Sequence, residues 1–338
     1  MEIHIERSYQ RIEEGQDGAV MEEKLEKIRS FDYVRMKSCG NIYELRYMQR
    51  QSESHIRKTD KDNYIDLITG EIKQFTHTTS RADNKTGVAK SLRKLRDILN
   101  TNITNVQNCR WMTLTYGENM RDTQRLYNDF RKFNMRLKSY VRRNEFPEYE
   151  YICAMEPQGR GAWHSHVVLI FQEKAPFLKN EDIKRLWGMG FVNIRKLQDA
   201  DNVGLYLIAY LGDIALDEAL DKELFKLNEI NARKLKNVEQ EQPDGERSTK
   251  AYIKGGRLPL YPPGFRIFRT SRGIKQPEIT NCPYHKALEK MGENAKPTFE
   301  SVMKLTDDDG KLINKIVYRH FKKAQNRHVQ VNSSVCPQ

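Results

Sequence analysis

The sequence predicts an α+β fold: a ferredoxin-like, split βαβ antiparallel sheet, with accessory β and α regions before and after it. Two observations lead to this. Between about residues 109 and 220, strand-like and helix-like periodicities follow one another in the order β-α-β-β-α-β-α. Outside that stretch, pairs of alternating runs joined by short polar turns read as hairpins. The division expected is 1–105 as accessory hairpins and a basic helix, 106–225 as the central domain, and 226–338 as a basic accessory region.

The elements are justified in order. In YVRMKSCGNIYELRYM, Cys39-Gly40-Asn41 separates two alternating runs, and in YIDLITGEIKQF a Thr-Gly-Glu turn does the same. After the polar TTSRADNKTG, Val88, Leu92, Leu95, Ile98 and Leu99 fall at helical spacing. Lys90, Arg93, Lys94 and Arg96 cover the other faces, which fits either a solvated or a phosphate-binding surface. RWMTLTY reads as a strand. From Asp122, a suitable N-cap, to Tyr140, the residues Leu126, Phe130, Phe133, Leu137 and Tyr140 share one helical face. EYEYICAME is the next strand, PQGRG a turn, and AWHSHVVLIF a strand apolar enough for burial on both faces. The helix NEDIKRLWG, the strand FVNIRKL and the apolar helix NVGLYLIAYLGD complete the run.

Residues 226 to 250, dense in charge and carrying Pro243-Asp244-Gly245, read as a linker or surface insertion. The following stretch interleaves Lys250, Lys254, Arg257, Arg266, Arg269 and Arg272 with Tyr252, Tyr261, Phe265 and Phe268. That mixture suits either an irregular basic loop or a single-strand groove, where cations meet phosphates and aromatics stack on bases. FESVMKLTDDDGKLINKIVYRHF reads as a last hairpin with an Asp-Asp-Asp-Gly turn.

The 338 residues carry 58 Lys and Arg against 46 Asp and Glu, a formal charge of +12. An excess of that size favours a polyanionic partner, nucleic acid first. With a mean hydropathy of −0.79, no run approaches the roughly 18 apolar residues of a membrane span. The opening residues lack the pattern of a signal or transit peptide, so a cytoplasmic location is expected. Five scattered cysteines, Cys39, Cys109, Cys153, Cys282 and Cys336, fit reduced thiols. No GxxxxGK[ST] occurs, so any unwinding falls to a separate helicase.

The chemistry concentrates around His164 and His166. Two apart in a strand, both imidazoles leave one face of the sheet, and a divalent cation is one way to satisfy two buried rings. If the turn spans 157 to 161, Glu156 pairs with Ala162 and becomes a diagonal neighbour of His164 on that face. A four-residue turn puts it on the opposite one. Imidazole plus carboxylate with open positions suits Mg²⁺ or Mn²⁺, and ligand type also admits Zn²⁺. Tyr206 and Tyr210, one helical turn apart, share a face: either core residues or candidate nucleophiles toward a phosphate.

WHSHVVLIF preceded by AMEPQGRGA, the earlier TLTY and the later YLIAY together resemble the three motifs of the HUH endonucleases, in the branch of rolling-circle replication initiators of Firmicutes plasmids and related phages. The resemblance runs from about residue 33 to residue 277. It implies that Glu156, His164 and His166 bind a divalent metal, Mg²⁺ or Mn²⁺, and that Tyr206 and Tyr210 include the nucleophile. Thr113, Thr115 and Tyr116 belong to the first motif beside the site. Two departures stand out: Ser165 lies where a bulky apolar residue is common, and Gly212-Asp213 replaces a frequent Lys. The expected activity is nicking and joining of one strand of origin DNA, leaving a 5′-phosphotyrosine link and a free 3′-OH. The host helicase and polymerase are the expected partners, and Arg257, Arg266, Arg269 and Arg272 are candidate DNA contacts. The rival readings are an HUH transposase or relaxase, and a non-catalytic nucleic-acid-binding module.

Overall fold

The structure, a computed structural model, describes residues 4–11, 25–51, 54–77, 85–158, 161–197, 204, 214–215, 235–241, 247–253, 260–292, 295 and 297–322. The fold is mixed α and β with antiparallel sheets. It divides into two compact units, one made of 1–53 with 277–338 and the other of 54–276. The boundaries expected at 105/106 and 225/226 both fall inside the second unit. The reason is long-range pairing: the first unit's sheet takes strands from two segments more than two hundred residues apart, which local composition does not reveal.

That first sheet is built from six strands: β1 (His4–Arg11), β2 (Tyr33–Cys39), β3 (Ile42–Met48), β15 (Glu278–Pro283), β16 (Pro297–Thr306) and β17 (Leu312–Lys322). Their spatial order is β1-β16-β17-β3-β2-β15. The expected hairpins β2–β3 and β16–β17 both form. Strands β1 and β15 and the helix α4 (Tyr284–Met291) have no counterpart in the sequence reading. Val34, Met36, Leu45, Val317 and Phe321 are buried with Ala287 and Met291 of α4, so the helix covers one sheet face.

The second unit carries the hairpin strands β4 (Ile56–Lys58), β5 (Asn63–Asp66) and β6 (Ile72–Gln74), then α1 (Lys85–Asn102). Its main sheet has five strands: β7 (Cys109–Tyr116), β8 (Tyr149–Pro157), β9 (Trp163–Phe171), β10 (Gly190–Lys196) and β14 (Phe268–Thr270). Their order is β10-β7-β9-β8-β14, with every neighbouring pair antiparallel. Strands β7 and β8 therefore run parallel to each other with β9 between them.

Helix α2 (Thr123–Arg143) joins β7 to β8, and α3 (Asn180–Trp187) joins β9 to β10. Asp122 caps α2 as expected, accepting from the amides of Gln124 and Arg125. The α3 helix ends at Gly188 in the left-handed conformation, φ 68°, which an L side chain adopts only with strain. Leu126, Phe130, Phe133 and Leu137 of α2 and Ile183 and Trp187 of α3 bury against Met112, Leu114, Val167 and Leu169. On the opposite face, Leu95, Ile98 and Leu99 of α1 pack on Ile152, Ala154 and Val168. The apolar run of β9 is thus covered on both sides.

The segment read as a linker or insertion contains β12 (Leu235–Glu241), which pairs with β13 (Arg247–Ile253), itself joined by β11 (Ile214–Ala215). Its high charge fits a strand pair, because hydrogen bonding of the ladder does not require apolar side chains. The helix expected over NVGLYLIAYLGD lies outside the described residues except Gly204, which is helical and buried.

A candidate metal centre on the open sheet face

Strand parity builds the site. Thr115 faces His164 and Thr113 faces His166 across β7–β9, while Glu156 faces His164 directly across β8–β9. This corrects the expected pairing with Ala162. The register is displaced by two residues, and since side chains alternate with a period of two, Glu156 stays on the histidine face. As a direct neighbour it stands closer than the expected diagonal one.

The three side chains converge. Glu156 Oε2 lies 3.1 Å from His164 Nε2 and 3.5 Å from His166 Nε2, and the two imidazole Nε2 atoms are 3.1 Å apart. One candidate ligand atom from each falls within 4.8 Å of the others, the one such group found among the described residues. Two ring nitrogens facing each other at that distance need a proton or a cation between them. The donor set of two imidazoles and a carboxylate fits a divalent cation that keeps further positions open.

Burial sets the direction of approach. The Glu156 and His164 side chains are 3% and 8% exposed, whereas that of His166 is 24% exposed. A ligand therefore enters past His166. That ring is held by Thr113, whose Oγ1 is 3.3 Å from Nδ1, and by Trp111, edge-on at 5.8 Å. A hydroxyl accepting from Nδ1–H leaves the Nε2 lone pair directed at the cluster. Phe191 and Asn193 of β10, opposite Thr115 and Thr113, extend the same face outward. Sequence reasoning missed Trp111, Phe191 and Asn193, although counting by twos from Thr113 and across to the next strand reaches them.

Tyr116 is placed differently from its motif partners. One residue beyond Thr115, it points into the opposite core, packs on Trp187 and donates to Asp129 Oδ2 at 3.1 Å. Burial, then the Asp129 carboxylate, pushes its phenol far above the ordinary range, so it is not the nucleophile at neutral pH. Tyr206 and Tyr210 lie outside the described residues. Gly204, two positions before Tyr206, donates its amide to Asn100 Oδ1 at 2.7 Å, and a Cβ there would sit 2.5 Å from the Arg96 carbonyl oxygen. The chain entering the tyrosine segment is thereby fixed to α1, the helix on the histidine side of the sheet.

The basic and aromatic stretch divides. Tyr261 and Phe265 are buried, Phe265 stacked on Trp163 at 4.6 Å, so they serve the core instead of stacking on bases. Arg269 lies over the Tyr127 ring at 3.4 Å. Arg266 and Arg272 are exposed, and Arg257 lies outside the described residues. A groove of about 630 Å³ around β14 is lined by Lys94, Tyr151, Arg266 and Arg269.

A family model for replication-associated proteins of the ORF2 type matches residues 109–214. That is about a third of the chain, from the first residue of β7 into β11, and it encloses the whole histidine and carboxylate cluster. Neither a curated protein nor a solved structure gives a match. The family match supports a role in DNA replication and its initiation. Among the described residues no helix is long and apolar enough to cross a membrane.

Proposed function

We propose that the chain is a rolling-circle replication initiator of the HUH-endonuclease type, which nicks and rejoins one strand at an origin. The observation that carries this reading is the meeting of Glu156, His164 and His166 on one sheet face, within a segment matched by a replication-associated family. The strand order, with β9 between the parallel β7 and β8, is that of a split βαβ sheet and supports the same reading.

Glu156, His164 and His166 hold the divalent cation, Mg²⁺ or Mn²⁺, and Thr113 keeps His166 in the ligating tautomer. When bound, the cation supplies positive charge beside a scissile phosphate. Tyr206 or Tyr210 supplies the phenolic oxygen, delivered by the segment that starts at Gly204. That oxygen attacks phosphorus, the bond to the 3′ oxygen breaks, the phenolic proton leaves to solvent and the departing 3′ oxygen takes one up. The products are a 5′-phosphotyrosyl link and a free 3′-OH for the host polymerase. Because one phosphodiester replaces another, no ATP is consumed, and a host helicase opens the duplex. In this reading 106–225 is the catalytic region of a cytoplasmic bacterial protein, with 1–105 and 226–338 accessory to it. The exposed Arg266 and Arg272, with Arg257, guide the strand.

The test is incubation with single-stranded oligonucleotides tiled over the DNA flanking its gene, followed by denaturing electrophoresis. A covalent protein–DNA adduct that needs Mg²⁺ or Mn²⁺ and disappears in Tyr206→Phe/Tyr210→Phe is expected. Specific DNA binding without any adduct from any oligonucleotide overturns the reading in favour of a binding module.

A further inference from the structure

The face of the six-stranded sheet opposite α4 carries a row that the proposed nicking chemistry does not use. Cα pairing places Tyr9, Ser301, Tyr318, Arg46, Arg35 and Asn281 side by side across all six strands. Five interstrand spacings make that row about 24 Å long. Tyr9 is 79% exposed, and Tyr33, two residues before Arg35 on the same face, is 64% exposed.

The charges on this face are uneven. Arg35 and Arg46 are directly opposed, an arrangement that costs stability in an isolated sheet. Neither they nor Arg7, on the neighbouring row, is paired with a carboxylate among the described residues, and Arg46 Nε is buried with no hydrogen-bond partner. The face's carboxylate, Glu44, is already engaged by Lys37 and lies 3.8 Å from His320. Opposed guanidiniums and exposed phenols on an open sheet match a chain of phosphates carrying stackable bases.

We infer that this sheet face is a second nucleic-acid site, which binds single-stranded DNA with Arg35 and Arg46 on phosphates and Tyr9 and Tyr33 against bases. It lies outside the matched family segment and in a different unit from the metal cluster, so it stands or falls independently of the nicking reading. A duplex presents its bases stacked inside, where these tyrosines do not reach them, and the flat face therefore favours single strands.

The full-length protein is titrated with fluorescent oligothymidylate in chelator, so that nothing is cut, between about 50 and 200 mM salt. Arg35→Ala/Arg46→Ala is expected to weaken binding about tenfold and to flatten the log–log salt slope by about 1.4, for two single-strand phosphate contacts. Tyr9→Ala, at an exposed position, is expected to weaken binding about fivefold with little change of slope. Photo-crosslinking of the unmodified chain to iodouracil-substituted DNA needs no variant and is expected to label Tyr9, Tyr33 or Tyr318. Crosslinks confined to 54–276, or unchanged affinity and slope in the folded arginine variant, overturn the proposal. So does equal affinity for duplex, or a dimer broken by Tyr9→Glu with DNA affinity retained, which assigns the face to a second copy.

Discussion

Thr113→Val tests the metal centre through a residue that does not ligate. The two side chains have nearly the same shape and both suit a strand, so β7 and its packing should persist. What is lost is the hydroxyl 3.3 Å from His166 Nδ1. Without an acceptor there, the imidazole can carry its proton on Nε2, the atom 3.5 Å from Glu156, and in that tautomer it is no ligand. Losing a partner of this kind reduces metal affinity about 10–100-fold. The contact is long for a hydrogen bond, which places the expected loss at the low end, about tenfold or about 1.4 kcal/mol. His166→Ala removes the ligand itself and should cost more than about a hundredfold, about 2.8 kcal/mol. The assay is titration with Mn²⁺, following the free aquo ion by electron paramagnetic resonance, so that no DNA or turnover is involved. Undiminished affinity in Thr113→Val alongside a large loss in His166→Ala refutes the tautomer argument. Undiminished affinity in both removes the metal from the cluster.

Tyr206→Phe and Tyr210→Phe each keep a ring and delete an oxygen. One single variant should lose the covalent adduct and the other should nick but fail in rejoining, as scored on denaturing gels with a suicide substrate. Tyr116→Phe should behave oppositely, retaining the adduct while losing about 1–3 kcal/mol in urea unfolding, because Asp129 is left buried without its phenol partner. A Tyr116→Phe protein of full stability would contradict the buried bond. Gly204→Ala should lower adduct yield by displacing the chain from the Arg96 carbonyl, with Mn²⁺ affinity intact. Burial pushes the thiols of Cys109 and Cys153 up to about 12. At about pH 8 the folded protein should therefore resist alkylation at both sites, and labelling should appear only with denaturant. Since both groups stay protonated in the folded state while unfolded thiols ionise near their ordinary value, the stability they confer should fall as pH rises above about 9.

The parts of this molecule that are legible in its sequence are those set by near neighbours. The alternation of His164 and His166 in an apolar strand, the cap at Asp122 and the turn at Gly40-Asn41 each depend on a few adjacent residues, and each is found as expected. Glu156 falls on the expected face because only parity matters there, whereas its partner depends on a loop length that local pattern leaves free by steps of two. Pairing of β1 with β16 and of β15 with β2 is not legible, since nothing near His4 or Glu278 specifies a partner hundreds of residues away. The inward burial of Tyr261 and Phe265 is hidden by their basic neighbours, which point to solvent while the rings fill space beside Trp163. Tyr116 is obscured by its company: a strand motif reads as one unit in sequence, yet its last residue turns to the other side.

The division into a continuous unit of 54–276 and a discontinuous one has a consequence for synthesis on the ribosome. Residues of the central unit all emerge before the last three strands of the six-stranded sheet exist. At about 5–20 residues per second, β1, β2 and β3 wait at least ten seconds or so for their partners, with the bare edges of β1 and β3 exposed throughout. Nascent or prematurely terminated chains should therefore carry a finished centre and an unfinished flank, open to proteases and to strand exchange with other copies. Release of a complete polypeptide, more than completion of the metal-bearing sheet, becomes the moment at which the protein turns resistant to digestion.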